Sequence, residues 1–334
     1  MAYEQNYNLF VRRMLRELQI GSKHTKRSVE KVALEFDIAE KNTVKELTEL
    51  AIVMRAREFS LRTHFSIEEK FKNILELYES QVNLSHRTSQ SILLQQYSTP
   101  TPLSFLAGIF CEINKDTVTV FEPSAGNGLL TIAADPKNVV VNEVDSLRRG
   151  NLKLQGYKQV LKQDATKPFI GFEKKFDAVL TNPPFGTLDH DIRFDTFPIR
   201  TLDHLMALRA LDCMKDNGKA AIIIGGHTKW DDKGRIQAGR NRIFFNYLYS
   251  HYNVVDVIPI DGHKLYSRQG TAFDTRLILI HGRKSTVSGV APVKNPDRDT
   301  PVRSYEELYA RIMEDMESNY LPLIQNYRSL KKKY

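Results

Sequence analysis

Seven short apolar segments recur between residues 117 and 282, and this repetition restricts the folds open to the chain. The segments are TVTVFEP (117–123), NVVVNEVD (138–145), YKQVLKQDAT (157–166), FDAVLTNPP (176–184), KAAIIIGG (219–226), VVDVIPI (254–260) and TRLILIHG (275–282). Helical or turn-rich segments separate these seven apolar segments. The fourth apolar segment, FDAVLTNPP, is apolar enough for a strand buried on both faces. Strands that alternate with helices predict an α/β fold, a doubly wound and mostly parallel seven-stranded sheet. The last two strands are expected to form a hairpin at its edge.

The segments that flank this sheet are predicted to be helical. Residues 1–95 have apolar residues at i, i+3 and i+4 spacing, best seen in VKELTELAIVMRAREFS and IEEKFKNILELYESQV. Within the sheet region, HLMALRALDCMKDNG (204–218) predicts an amphipathic helix that ends at Gly218. We therefore expect an N-terminal helical region at 1–95, a sheet-containing domain at 96–284 and a C-terminal helical tail at 285–334.

The composition argues against several classes of protein. No run approaches the roughly 18 apolar residues that span a membrane, and the N-terminus, MAYEQNYNLFVRRM, has no apolar signal-peptide core. We therefore expect a cytoplasmic protein with no membrane partner. Cys111 and Cys213 are far apart in sequence, which argues against a disulfide framework or a structural zinc site. The formal net charge of +8 favours a polyanionic partner only where a chemical motif agrees with it.

A glycine-rich turn, FEPSAGNGLL, contains the end of the first predicted strand and is expected to lead into a helix. Gly126 and Gly128 allow a ligand to approach the backbone closely. A dinucleotide fingerprint would have a third glycine at the position of Thr131. Glu122 adds a carboxylate, which suits a cationic ligand better than a pyrophosphate, and Glu143 can accept hydrogen bonds from both hydroxyls of a ribose. A plain strand-to-helix turn with surface acids is the alternative.

The fourth predicted strand ends in TNPPFG, where two prolines stop the sheet ladder at a defined point. The side-chain oxygen of Asn182 and the carbonyl of Pro183 can form a pair of hydrogen-bond acceptors. Pro184 stiffens the backbone, and Phe185 offers a face on which a planar ring can stack. Such a pair favours the tetrahedral geometry that a conjugated amine must adopt to attack a methyl group, and this chemistry needs no metal. A chance proline turn is the alternative.

Together these motifs resemble those of class I methyltransferases that use S-adenosylmethionine. EPSAGNG is similar to motif I, QDAT to motif III and NPPF to motif IV, while QQYSTPTP resembles motif X of adenine-specific DNA methyltransferases. The order of motifs X, I and IV resembles the gamma class of amino-methyltransferases, and the similarity covers residues 95–282. The resemblance implies that S-adenosylmethionine is bound by Tyr97, Ser98, Thr99, Pro100, Glu122, Ala125, Gly126, Gly128, Glu143 and Asp164. It implies that the catalytic residues are Asn182, Pro183, Pro184 and Phe185.

The resemblance further implies methyl transfer to the N6 amino group of adenine in DNA, as in restriction–modification methyltransferases. Enzymes with similar motifs also act on adenine in RNA and on a glutamine amide in protein. An RNA adenine methyltransferase and a catalytically silent nucleic-acid-binding subunit with this fold remain alternatives. In duplex DNA the adenine must be flipped out of the stack before it can react. Tyr266 or Phe273 could then supply a second stacking face.

The segment between the fifth and sixth predicted strands has basic residues beside an aromatic one, a pattern typical of phosphate contacts and base stacking. The candidate nucleic-acid-binding residues are Lys229, Trp230, Lys233, Arg235, Arg240 and Arg242. A solvated charged insertion is the alternative. The DHD sequence that contains His190 and Asp191 is expected to be solvated surface and not a metal site.

Methyltransferases of this class usually have a large target-recognition domain after the catalytic domain, but only residues 285–334 follow the last strand here. We therefore expect either that specificity is low, or that the N-terminal helices, a partner subunit or a second copy of the chain assist in recognition.

Overall fold

The computed structural model describes residues 2–83, 98–269 and 271–331. The α-helices are α1 (Ala2–Gln19), α2 (Lys26–Leu34), α3 (Lys41–Ser60), α4 (Ile67–Ser80), α5 (Thr101–Phe110), α6 (Ser146–Lys153), α7 (Leu202–Asp212), α8 (Arg240–His251), α9 (Gly262–Leu265) and α10 (Tyr305–Lys331). The strands are β1 (Val120–Glu122), β2 (Val139–Asn142), β3 (Gln159–Leu161), β4 (Phe176–Thr181), β5 (Thr187–Phe194), β6 (Phe197–Thr201), β7 (Met214–Gly225), β8 (Tyr252–Ile260) and β9 (Thr275–Arg283). Short 3₁₀ helices occupy Leu129–Thr131, Pro136–Asn138 and Ser267–Gln269. None of the helices in these described ranges combines the length and apolar character needed to cross a membrane.

Seven of the strands form one sheet in the order β3-β2-β1-β4-β7-β9-β8. The first five run parallel, and β9 pairs antiparallel with both β7 and β8. Val120 of β1 is in register with Val139 of β2 on one side and with Ala178 of β4 on the other. The α/β fold class, with its doubly wound sheet and N-terminal helical segment, is therefore confirmed. Because the strand order reverses between β1 and β4, a crevice is expected at the carboxyl ends of these two strands.

The sheet is covered on both faces, so its central strands are buried throughout. Leu180 of β4 belongs to an apolar cluster with residues of α4, α5 and α10. Its neighbour Val179 points to the opposite face and belongs to a second cluster with residues of α7 and α8. Successive side chains of a strand alternate between faces, which explains why an unbroken apolar run in the sequence serves two cores at once.

Helix α3 connects the N-terminal helices to the sheet. Leu47 and Leu50 pack with α1 and α2 in a third apolar cluster, whereas Val53 and Phe59 pack with the cluster that covers the sheet. Arg57 then donates a hydrogen bond at 2.7 Å to the hydroxyl of Tyr157. The helix is consequently buried along most of its length and borders the crevice region.

Two local predictions are wrong. The predicted helix does not continue to Gly218, because α7 ends at Asp212 and Met214 pairs with Phe176 as the first residue of β7. Gly218 is instead a point of close approach, since a Cβ there would lie 2.9 Å from the carbonyl oxygen of Asp177. The glycine turn after β1 also leads into the 3₁₀ helix Leu129–Thr131 and not into an α-helix. The turn therefore lacks the α-helix N-terminus on which dinucleotide phosphates bind.

The hairpin of β5 and β6 was not anticipated from the sequence. It begins at Thr187, directly after TNPPFG, and forms a separate two-stranded sheet. Its apolar residues Phe194 and Ile199 are buried against the α7 and α8 side of the core. His190 and Asp191 are exposed on it, in agreement with the solvated surface expected for that segment.

Candidate active site

The loops that follow β1, β2, β3 and β4 meet at the carboxyl edge of the sheet and enclose a cavity of about 400 Å³. This volume lies in the range of small-molecule sites. The predicted residues that line it are Ser98, Thr99, Glu122, Ala125, Gly126, Glu143, Asp164, Asn182, Pro183, Pro184 and Phe185. Segments that are far apart in the sequence, and that the sequence analysis assigned to a single site, therefore line one cavity in the structure.

Three of the predicted cofactor-binding residues are not among the lining residues. Pro100 is buried at the N-cap of α5. Gly128 lies behind the turn with φ +90°, and a Cβ there would overlap the hydroxyl of Tyr157. It therefore makes room for a buried side chain and does not face the cavity. Tyr97 lies outside the described residues.

Two buried carboxylates, Glu122 at the end of β1 and Glu143 directly after β2, line the cavity beside the glycine turn. Glu143 accepts hydrogen bonds from the backbone N–H groups of Gly126 and Asp145, each at 2.8 Å, yet burial still raises its pKa. Burial, reinforced by the charge of Glu143, raises the pKa of Glu122 well above its usual value. Oε2 of Glu122 is buried and has no hydrogen-bond partner among the described residues. Such an oxygen is costly to bury unless a donor reaches it, so this wall favours a ligand with cationic or N–H groups.

Sequence reasoning missed several polar residues around the cavity. Asn142, at the end of β2, donates to the carbonyls of Pro123 and Gln163 at 2.9 and 3.0 Å and so ties three loops together. Glu49 of α3 and Arg148 of α6 also line the cavity. A polar residue that ends an apolar strand, as in VVVN, was an available signal for Asn142. No local pattern indicated that a helix more than 70 residues before the glycine turn would reach it.

The TNPPFG segment joins the cavity through contacts on both sides. Asn182 donates from Nδ2 to the hydroxyl of Thr99 at 2.9 Å, which directly connects two of the predicted motif segments. One residue earlier, the hydroxyl of Thr181 is 3.0 Å from that of Ser124 in the glycine turn. Phe185 packs against Gly225, where a Cβ would lie 3.0 Å from its ring. The segment is therefore held at the edge of β4, with its side chains adjoining the cavity.

The predicted nucleic-acid-binding residues lie on the loop between β7 and α8 and at the start of α8, and none of them lines the cavity. The side chains of Lys229, Lys233, Arg235 and Arg240 are exposed. Asp231 accepts hydrogen bonds from Arg235 at 3.0 Å and from Arg242 at 2.8 Å. Trp230 packs against the core cluster on the α7 and α8 side. The loop is thus organised around one carboxylate, with most of its cations on the surface.

Arg240 has a basic neighbour that the sequence did not indicate. Arg240 and Arg200 of β6 line one small cleft together with His204 of α7. His204 stacks on the ring of Phe244 with centroids 4.0 Å apart. Burial, followed by the charges of Arg276 and Arg240, lowers the pKa of His204 to about 3. The imidazole is therefore neutral, and the two arginines provide the positive charge of this cleft.

The two aromatic candidates for a second stacking face differ in position. Tyr266 is buried in the core, with only 1% of its surface exposed, whereas Phe273 is largely exposed. Tyr266 is therefore unavailable to a base. The described part of the chain contains no group of three or more His, Cys, Asp or Glu residues arranged to hold a metal ion.

Comparisons with known proteins give similarities of structure only. No protein-family model matches the sequence, and no curated protein is detectably similar in sequence. A protein from Listeria monocytogenes described as a class I S-adenosylmethionine-dependent methyltransferase is 14% identical, with 93% of this chain and 98% of that chain aligned and a TM-score of 0.48. A protein from Vibrio vulnificus described as a modification subunit of a type I restriction enzyme is 15% identical (88% and 65% aligned, TM-score 0.48). The M protein of the type I restriction enzyme EcoKI is 13% identical (92% and 76% aligned, TM-score 0.46). These likenesses concern the fold of the chain alone.

Proposed function

We propose that this chain transfers the methyl group of S-adenosylmethionine to the N6 amino group of adenine in DNA. The observation that carries the proposal is the hydrogen bond from Asn182 to Thr99 at the cavity that also includes the glycine turn. This contact would hold the proposed pair of acceptors, Asn182 and Pro183, beside a space large enough for a nucleoside-sized cofactor. Both features are needed for transfer to a conjugated amine, and either alone would fit other functions.

The charge of the cavity supports S-adenosylmethionine over a dinucleotide. Among its described lining residues, the acidic ones are Glu49, Glu122, Glu143 and Asp164, and the basic one is Arg148. S-adenosylmethionine carries a sulfonium and an ammonium against one carboxylate, so its net charge is complementary. A pyrophosphate would meet repulsion here, and the 3₁₀ turn offers it no α-helix N-terminus.

The lining residues fit the cofactor part by part. Glu143 would accept from the ribose hydroxyls and Asp164 from the adenine amino group. Thr99 and Ser98 would contact the methionine carboxylate. The cofactor supplies an electrophilic methyl group on a sulfonium, and the protein's task is to position the amine that attacks it.

The TNPPFG segment would perform that task. Oδ1 of Asn182 and the carbonyl oxygen of Pro183 accept the two N–H groups of the adenine amine and favour its pyramidal form in the transition state. Pro184 keeps the backbone of this segment stiff, because its ring fixes φ. Phe185 stacks on the base. The nitrogen loses a proton during or after transfer, so no strong general base is required.

Two features support duplex DNA as the substrate: exposed basic side chains near the cavity, and an aromatic ring on which a flipped base could stack. The exposed cations Lys229, Lys233 and Arg240 follow a strand whose carboxyl end adjoins the cavity, where they could neutralise phosphates. Flipping the adenine costs a few kcal/mol, which stacking on Phe185 would partly offset. We further propose that residues 96–284 form the catalytic domain, with 1–95 and 285–334 as helical additions. We also propose that a partner subunit or a second copy of the chain assists in sequence recognition.

The test is a methyl-transfer assay on duplex DNA and RNA of one sequence, with N6-methyladenine measured by mass spectrometry. We expect methylation of the DNA, and Asn182→Ala should lower kcat by about 100-fold or more because a preorganised acceptor is lost. Cofactor affinity should change little in this variant. Asn217→Ala, on the exposed start of β7, is the matched control. Full activity of Asn182→Ala would overturn the mechanism, and methylation of RNA alone would replace the substrate.

A further inference from the structure

Helix α3 carries two glutamates on a face that is otherwise packed into the protein. Glu46 and Glu49 are only 3% and 2% exposed, and they lie one helical turn apart. Burying a carboxylate is expensive unless cations or hydrogen-bond donors surround it. Each of these two residues therefore needs a partner, and their partners differ.

Both carboxylate oxygens of Glu46 have hydrogen-bond partners within the protein. Its two oxygens accept from Nε and Nη2 of Arg148 at 2.8 and 3.0 Å, a bidentate pair. Asn127 of the glycine turn adds a hydrogen bond at 2.7 Å. The Arg148 charge is thus engaged with Glu46, and Glu46 serves to attach α3 to α6 and to the turn.

The two carboxylate oxygens of Glu49 differ in their hydrogen bonding. Its Oε2 accepts from Nδ2 of Asn127 at 2.5 Å, which also holds the side chain beside the glycine turn. Its Oε1 is buried without a hydrogen-bond partner among the described residues, and Glu49 lines the cavity. Glu122 lines the same cavity, and its Oε2 is likewise buried without a hydrogen-bond partner among the described residues. A hydrogen bond from the hydroxyl of Ser98 to the Glu49 carboxylate acts to lower its pKa. Oε1 of Glu49 and Oε2 of Glu122 still border one space without a hydrogen-bond partner in the part of the chain that the structure describes.

We propose that Glu49 binds the ammonium group of the amino-acid portion of S-adenosylmethionine, so that the N-terminal helical region contributes directly to the cofactor site. This inference rests on the proposed function. A sulfonium has no N–H and cannot donate a hydrogen bond to these oxygens, whereas an ammonium is a cation with three donors and can reach more than one acceptor. The position of Glu49 beside Ser98 and Asn127 favours the methionine end of the cofactor over the ribose end, which is assigned to Glu143.

The electrostatics of the site agree with a cationic ligand group. Burial, and then the neighbouring Glu46 carboxylate, raises the pKa of Glu49, against the opposing influence of Arg148. A carboxyl in this condition is destabilised in its charged form until a cation approaches. Binding an ammonium would supply that cation without any rearrangement of the Glu46–Arg148 pair.

The test compares two ligands that differ at the proposed contact. S-adenosylhomocysteine carries the ammonium group, and 5′-methylthioadenosine lacks the whole amino-acid portion. Calorimetry on the full chain should give a tenfold or greater loss of S-adenosylhomocysteine affinity in Glu49→Gln, with 5′-methylthioadenosine affinity within twofold of the wild type. Glutamine can still accept from Asn127, so the variant removes mainly the charge. Glu58→Gln, on the same helix but away from the cavity, should bind both ligands as the wild type does.

The outcomes separate this inference from the function on which it rests. Unchanged affinity of Glu49→Gln for S-adenosylhomocysteine overturns the role of Glu49 while leaving the methyltransferase proposal intact. Equal losses for both ligands indicate a structural role and also overturn it. A wild type that binds neither S-adenosylmethionine nor S-adenosylhomocysteine removes the proposed function and this inference together. If Glu49→Gln does not fold, Glu49→Asp keeps the charge on a shorter side chain and should lose S-adenosylhomocysteine affinity selectively, by a smaller factor.

Discussion

Replacing Gly128 with alanine should destabilise the protein strongly without affecting the cavity directly. Gly128 has φ +90°, and a Cβ there would overlap the hydroxyl of Tyr157 and lie 3.3 Å from Leu152. The Tyr157 hydroxyl cannot easily move away, because it accepts from Arg57 at 2.7 Å and is 2.8 Å from the hydroxyl of Thr131. All of these side chains are buried. The substitution therefore combines backbone strain with overpacking.

The magnitude follows from adding these two costs. A non-glycine residue in the left-handed region costs about 1–2 kcal/mol, and overpacking of a buried site costs about 1–3 kcal/mol. We therefore expect Gly128→Ala to lower the free energy of unfolding by about 2–5 kcal/mol. Gly126, two residues earlier, has φ +55° and no atom within 4 Å of a Cβ. Gly126→Ala should cost only the strain, about 1–2 kcal/mol.

Urea unfolding of both variants, followed by circular dichroism and by the fluorescence of the single tryptophan, measures this difference. Cofactor binding should show the opposite order, because Gly126 lines the cavity and donates to Glu143 while Gly128 does not line it. Equal destabilisation by the two substitutions, or a larger loss for Gly126→Ala, would refute the steric account of Gly128.

Three further predictions concern pH, nucleic-acid binding and base stacking. His204 has a pKa of about 3 in the fold against 6.5 in the unfolded chain. As pH falls through 6.5, this side chain takes up a proton only in the unfolded state, so its contribution to the free energy of unfolding should decrease by about 1.4 kcal/mol per pH unit, or about 2 kcal/mol by pH 5. Urea titrations of the wild type and of His204→Gln should differ by this pH-dependent amount, whereas His190→Gln on the exposed hairpin should follow the wild type; the same pH dependence in all three would contradict this. Arg240→Ala should reduce the slope of log affinity for DNA against log salt by roughly 1, with unchanged binding of S-adenosylhomocysteine; an unaltered slope would exclude a phosphate contact. Phe185→Leu should raise KM for DNA about tenfold in the methylation assay, since stacking contributes about 1–3 kcal/mol per base; a wild-type KM would count against stacking.

Much of the architecture was predictable from the sequence because its causes are local. Apolar runs such as FDAVL specify buried strands, and the turns that follow them specify which sheet edge carries the ligand-facing residues. The glycine turn and the TNPPFG segment were each placed at this edge for such reasons, and the structure brings both to one cavity. The end of α7 was not predictable in this way. Residues 213–218 continue the helical spacing, but Met214 pairs with Phe176 of β4 and β7 begins there.

Tertiary structure alone decided which polar groups meet. Glu49 reaches the cavity because α3 packs across the glycine turn, and Asn127 contacts it from 78 positions further along the chain. Trp230, placed among cations by the sequence, packs against the core because its loop folds back on Asp231. Periodicity and turn motifs in a sequence reflect interactions between residues that are close together along the chain. The partner of a buried charge depends on how separate elements pack, and that information is carried by the whole chain and not by any one segment.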